Sequence, residues 1–104
     1  MDPILIISGC PDKENALNIA RALIVKSLAA CVNVLPGSTS IFNWQGEIQE
    51  ETESMLFIKT TQDMEAPVEN LIQELHEYDM PEIISINIAG GADDFIDWVN
   101  ECVS

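Results

Sequence analysis

Two strand-like segments in the middle of the chain face each other across a short turn, and their length constrains everything else. From Cys31 the residues Val32, Val34 and Leu35 follow a β pattern, Pro36-Gly37 interrupts it, and Ile41 to Trp44 resume it. Such an interruption predicts a bulge or bend within the strand. Gln45-Gly46 turn the chain, and Glu47 to Lys59 run back. Each arm exceeds the usual strand of about 5–6 residues. The return arm is polar near the tip (Glu47, Gln49, Glu50, Glu51, Glu53) and apolar near the base (Met55, Leu56, Phe57, Ile58). The tip is therefore expected to project beyond the core as an arm.

What flanks the hairpin completes an ordered set. Ile4 to Ile7 form a short apolar run ending at Ser8-Gly9, which reads as a buried strand. Asp12 is placed as an N-cap, and Ala16, Ile19, Ala20, Leu23 and Ile24 follow at helical spacing, predicting a helix over about 12–28. After the hairpin, Thr60, Thr61 and Asp63 offer caps, Pro67 is tolerable in a first turn, and Val68, Leu71, Ile72 and Leu75 form a second helical stripe. Ile83 to Ile88 read as a strand ended by Gly90-Gly91, and Asp93 is expected to cap a last helix carrying Phe95, Ile96 and Val99. The order β-α-β-β-α-β predicts an α+β, ferredoxin-like sandwich with a long hairpin and an added C-terminal helix. At 104 residues, positions 1–104 form one domain. Both main helices would cover one sheet face, and a second copy of the chain is expected on the other.

Charge narrows the partners. Eighteen acidic residues stand against four basic ones, a formal charge of −14. Nucleic acid is excluded as a partner because binding needs cations to neutralise phosphates, and anionic membranes are disfavoured for the same reason. Divalent cations are favoured at long range, although acidic surfaces commonly serve solubility. Three cysteines cannot all pair within one chain, which suggests reduced thiols. The Met-Asp-Pro start lacks a basic segment, and no apolar run is long enough to cross a bilayer, so a cytoplasmic location is expected.

The residues that could carry chemistry are few. His76 is the only histidine, so any imidazole chemistry runs through it. Thiolate and imidazole suit copper or zinc, and topology puts Cys10 with His76 at the tip end of the sheet. Cys31 and Lys59 fall at the opposite end, so Cys31 could meet His76 only across two subunits. Glu51, Glu53 and Lys59 share one sheet face by strand parity, which fits a binding cleft or an ion pair between subunits. Tyr78 could hydrogen-bond a small anion, while Trp44 and Trp98 read as packing residues. There is no Gly-rich phosphate loop, Cys-x-x-Cys, two-histidine helix or Ser-His-Asp order, and the chain reads as a non-enzyme.

Several short motifs occur in a fixed order: Leu28-Ala29-Ala30-Cys31-Val32-Asn33 with Pro36-Gly37, Trp44-Gln45-Gly46-Glu47, Glu51, Lys59-Thr60-Thr61, and His76-Glu77-Tyr78-Asp79-Met80-Pro81-Glu82-Ile83. With Trp98 in the last helix, this set resembles the CutA family of divalent-cation tolerance proteins over nearly the whole chain. The resemblance implies a ferredoxin-like subunit in a tight homotrimer packed through extended hairpins, a cytoplasmic location, and a link to copper and other divalent ions. It makes His76, Cys10 and Cys31 the candidate metal ligands, and Glu51, Lys59, Tyr78 and Trp44 the candidate lining of a cleft between subunits. Some family members carry a cysteine where Ser8 stands and a second histidine where Leu75 stands, and these departures weaken the metal set. The alternative is a regulatory trimer resembling nitrogen-regulatory PII proteins, holding a small anion through Lys59, Glu51 and Tyr78; the −14 charge opposes it.

Overall fold

The computed structural model describes residues 1–103. Its elements are β1 (Pro3–Cys10), α1 (Lys13–Val25), β2 (Cys31–Trp44), β3 (Glu47–Thr61), a 3₁₀ turn (Gln62–Met64), α2 (Glu65–Leu75), β4 (Ile84–Asn87) and α3 (Asp93–Cys102). The four strands make one antiparallel sheet in the order β2-β3-β1-β4. This is the ferredoxin-like arrangement with the long hairpin and the extra helix.

The hairpin closes as its sequence requires. Gln45 and Gly46 both have positive φ (52° and 84°), the geometry of a two-residue turn whose twist matches the strands it joins. The Asn43 side chain fixes the turn by accepting from the Gly46 amide at 3.1 Å. The Pro36-Gly37 interruption is a bulge: the pairing register slips between Leu35 and Ser38. Fourteen and fifteen residues long, β2 and β3 stretch the subunit to 44 Å in one direction against 26 and 22 Å in the others.

Alternation sorts each strand between two faces. Ile4, Ile6, Ser8 and Cys10 of β1, with Leu56, Ile58 and Thr60 of β3, point under α1 and α2 and are fully buried. They meet Ala16, Ile19, Leu23, Val68 and Ile72 from the helices. Asp12 caps α1 as expected, its carboxylate accepting from the Asn15 amide at 2.8 Å. The helix stops at Val25 and not near residue 28, because Ser27 turns left-handed (φ 57°) and the Leu28 amide reaches back to the Leu23 carbonyl. Pro67 sits in the first turn of α2. Asp93 is the first residue of α3, with Ala92 in the cap position, and among the described residues no side chain caps that helix.

The opposite face is apolar and mostly open. Leu5, Ile7, Met55 and Phe57 are half-buried on it, while Leu35, Ile84 and Ile86 are more than two-fifths exposed. Helix α3 meets β1 and β3, and its buried Val99, with the buried Val103 just after its end, stands apart from the core under α1 and α2. Part of this face is therefore covered from within the chain, a role the sequence reading had assigned wholly to a second copy.

Candidate functional site

The tip end of the sheet gathers most of the polar residues singled out in the sequence. β4 pairs with β1 only as far as Ile7, so Gly9 lies beyond the last rung on that side. The chain leaving α2 supplies what β4 does not. His76, buried at the C-cap of α2, places Nε2 at 2.7 Å from the Gly9 carbonyl oxygen. Its Nδ1 accepts the Tyr78 amide proton at 3.0 Å. A backbone N–H can only donate, so Nδ1 is unprotonated; a carbonyl can only accept, so Nε2 carries the hydrogen. The imidazole is thus neutral and uses both nitrogens, one holding the end of β1 and the other the turn after α2. Asn15 adds a second tie, its side-chain amide donating to the Leu75 carbonyl at 3.1 Å.

Around this joint the charges are negative. The Cys10 thiol is fully buried, and its pKa is pushed up to about 12, first by burial and then by the carboxylates of Glu53, Asp12 and Glu77. It stays a neutral thiol at physiological pH. Tyr78 packs against the His76 ring at 5.0 Å between centroids. Its phenol is also raised above the ordinary tyrosine range, by burial first and then by Glu53, which acts both as a charge and as acceptor of the phenol's hydrogen bond, with Glu51 adding to it. Room for Glu53 comes from Gly9: a Cβ there would stand 3.3 Å from a Glu53 carboxylate oxygen and 3.2 Å from the Met55 sulfur.

The remaining candidates lie elsewhere. Cys31 pairs with Lys59 and Cys10 with Ser54, so the two cysteines are separated by five residues of β3, about 17 Å. Lys59 directs its ammonium to the Asn33 side-chain oxygen, with the Cys31 sulfur at 3.8 Å. Glu51 and Lys59 share a face but stand eight residues apart, about 27 Å. Trp44 is at the extreme tip, opposite Glu47. One subunit therefore brings together Cys10, His76, Tyr78 and Glu51 and leaves Trp44, Cys31 and Lys59 outside that group. Strand parity puts Glu53 on the right face but offers it Lys59 as a partner, where the structure gives it Tyr78, and the sequence reading does not single out Asn15. Asn15 was legible as the one polar residue within the buried stripe of α1.

These residues do not make a metal centre within one subunit. Both nitrogens of His76 are engaged, Cys10 holds its proton, and Cys31 is remote. Among the described residues no three His, Cys, Asp or Glu side chains are grouped to hold a metal ion.

The model of the CutA1 divalent ion tolerance protein family matches residues 4–102. The chain belongs to the CutA1 family. It is 42% identical over 101 residues to the "Divalent-cation tolerance protein CutA" of Thermus thermophilus, covering 97% of each chain. It is 36% identical over 96 residues to "Protein CutA, chloroplastic" of Arabidopsis thaliana, covering 92% of this chain and 53% of that longer one. The solved structure of the "Periplasmic divalent cation tolerance protein CutA" of Archaeoglobus fulgidus superposes with a TM-score of 0.95 at 37% identity, covering 98% and 99% of the two chains. CutA1 relatives thus carry names from different compartments. In this CutA1 chain no helix among the described residues is long and apolar enough to cross a membrane.

Proposed function

We propose that the chain acts in divalent-cation tolerance as a homotrimer, without enzymatic activity, and that any direct contact with copper or another divalent ion is made in the assembled trimer. The observation that carries this reading is the apolar sheet face, left mostly open by α3, beside a projecting arm. Leu5, Ile7, Leu35, Met55, Phe57, Ile84 and Ile86 form one contiguous surface, and beyond the polar rows Ser38–Glu53 and Ser40–Glu51 the arm carries Phe42 and Trp44 on the same face. An apolar surface of this extent marks an interaction site. The long outer edge of β2 also offers unpaired backbone groups to a neighbour.

Family membership supports the tolerance role, and the geometry supports the dependence on assembly. Of the proposed ligands, Cys31 can approach Cys10 and His76 only from another subunit, and the proposed cleft residues Glu51, Tyr78, Trp44 and Lys59 likewise come together only between copies. For His76 to bind a metal it must surrender either Gly9 or Tyr78, so metal binding there would loosen the joint. A cytoplasmic, reducing location suits Cys10, Cys31 and Cys102, all of them free thiols.

Light scattering coupled to size exclusion tests the assembly, with a trimer expected and a monomer fatal to the reading. Copper titration of wild type, His76→Ala and Cys31→Ser tests the ligands. Loss of affinity in both variants is expected if the site joins two subunits, and unchanged affinity in both removes these residues from the metal site.

A further inference from the structure

We propose that Cys31 and Lys59 are a modification site at the base of the hairpin, where oxidation of the thiol by a peroxide leads to a reversible S–N bond between the two side chains. Both residues belong to one chain, so the bond forms whether or not subunits associate. The register sets them directly opposite each other on β2 and β3, where facing side chains start about 5 Å apart. The Ala30 amide donates to the Lys59 carbonyl at 2.9 Å and fixes the backbone beside the pair. The Lys59 ammonium lies 3.8 Å from the Cys31 sulfur and also donates to the side-chain oxygen of Asn33, two residues further along the same face of β2. Asn33 thus keeps the amine beside the thiol. Cys31 and Lys59 are both half-buried in the subunit, open to a molecule as small as hydrogen peroxide.

The chemistry runs in two steps. The Cys31 thiol attacks one oxygen of hydrogen peroxide: an S–O bond forms, the O–O bond breaks, the other oxygen leaves as water, and two electrons pass from sulfur to peroxide. The product is a sulfenic acid, which condenses with a thiol or a nitrogen nucleophile that reaches it. Cys10 is about 17 Å away along the same chain, whereas the Lys59 nitrogen has only about 2 Å to close, a movement its flexible stem supplies. After the ammonium gives one proton to solvent, the amine attacks the sulfur: the S–N bond forms, the S–O bond breaks, and the hydroxyl leaves with an amine hydrogen as water. A small thiol reverses the product by attacking the sulfur and releasing the amine, and a second thiol frees Cys31 from the resulting mixed disulfide. While it lasts, the bond ties the first residue of β2 to β3 and spares the sulfur from the irreversible sulfinic acid. It also removes the only basic side chain of the sheet, since Lys13, Arg21 and Lys26 belong to α1 or its C-cap.

The test exposes the intact wild-type chain to hydrogen peroxide, then denatures it and maps it by tryptic digestion and mass spectrometry without reductant. Trypsin should still cut after Lys13, Arg21 and Lys26 but no longer after the modified Lys59, leaving residues 27–104 as one peptide. That peptide should be about 2 Da lighter than its unmodified form, and dithiothreitol should restore both the mass and the cut. A disulfide from Cys31 to Cys10 or Cys102 leaves the cut after Lys59 open, so it is told apart in the same digest and overturns the bond to lysine. Lys59→Arg keeps the charge without a nucleophilic amine; its Cys31 should stop at the sulfenic acid, trapped there by dimedone, and trypsin should cut at position 59. Cys31→Ser should leave that cut open after peroxide. Circular dichroism confirms that both variants are folded. A wild-type Cys31 that takes up dimedone while the cut after Lys59 stays open overturns the bond, and a Cys31 that stays reduced overturns the modification site. A blocked cut with a gain of about 14 Da means an oxygen between sulfur and nitrogen and overturns the direct S–N bond.

Discussion

Replacing His76 separates a structural joint from a metal ligand, because the two roles predict different losses. In the fold the ring donates to the Gly9 carbonyl at 2.7 Å and accepts from the Tyr78 amide at 3.0 Å, with only 8% of the residue exposed. His76→Phe keeps most of the ring volume and removes both bonds. Leaving a buried polar group without a partner costs about 1–3 kcal/mol; Gly9 is buried and Tyr78 half out in solvent, so about 2–4 kcal/mol is expected in total. His76→Ala adds the space vacated by the ring and should cost about 1 kcal/mol more. The assay is urea unfolding at one fixed protein concentration, since the midpoint of an oligomer depends on concentration. A single variant would confound packing with hydrogen bonding, and the pair resolves them. A Phe variant within about 0.5 kcal/mol of wild type would refute the joint, because neither bond could then matter to the fold.

Three further outcomes follow from the same corner of the molecule. Ser8 is fully buried and among the described residues its hydroxyl has no partner, so Ser8→Ala should raise stability by about 1 kcal/mol in the same unfolding assay; a loss of that size would mean the hydroxyl is satisfied by a buried water. Tyr78 is the only tyrosine, so its titration can be followed cleanly by phenolate absorbance. It should ionise above the usual tyrosine range, and Glu53→Gln should bring it back towards that range; an unmoved titration would remove Glu53 as the neighbour. Cys10 should resist alkylation at pH 8 while the partly exposed Cys31 and Cys102 react. Its folded pKa of about 12 exceeds the ordinary 9.0, so its contribution is intact below pH 9 and is lost as pH rises from 9 towards 12. Cys10→Ala should lessen the fall in stability over that window, and an unchanged alkaline profile would contradict the shift.

Much of the fold was legible because its signals are local. Periodicity located every strand and helix, Gln45-Gly46 fixed the turn, and Pro36-Gly37 marked the bulge. The misjudged ends have local causes that no periodicity carries: Ser27 entering a left-handed conformation, and Ala92 preceding a helix that starts at Asp93 without a side-chain cap. Of the candidate site, the tip-end grouping of Cys10, His76 and Tyr78 followed from topology alone. The occupation of both His76 nitrogens did not, since it depends on the β1–β4 pairing stopping at Ile7 and Ile84 and on a turn two residues long. Covering of the open face by α3 was likewise invisible, because an amphipathic helix does not declare which face of a sheet it will meet.

The joint and the arm are parts of one arrangement. Glu53 reaches over Gly9 to the Tyr78 phenol, Tyr78 donates its amide to His76, and His76 holds the Gly9 carbonyl, so the root of the arm and the end of α2 are closed into a ring of contacts. Whatever docks against the arm presses on that ring. Under the proposed assembly, Glu51 and Tyr78 can meet Cys31 and Lys59 only if the arm of one copy lies along the base of the next, since within one chain they stand at opposite ends of β3. The residues that no single subunit brings together would then meet at three equivalent places in a closed trimer. A metal ion or small ligand bound there would be linked to the association of the subunits, because only the assembled form contains the complete site.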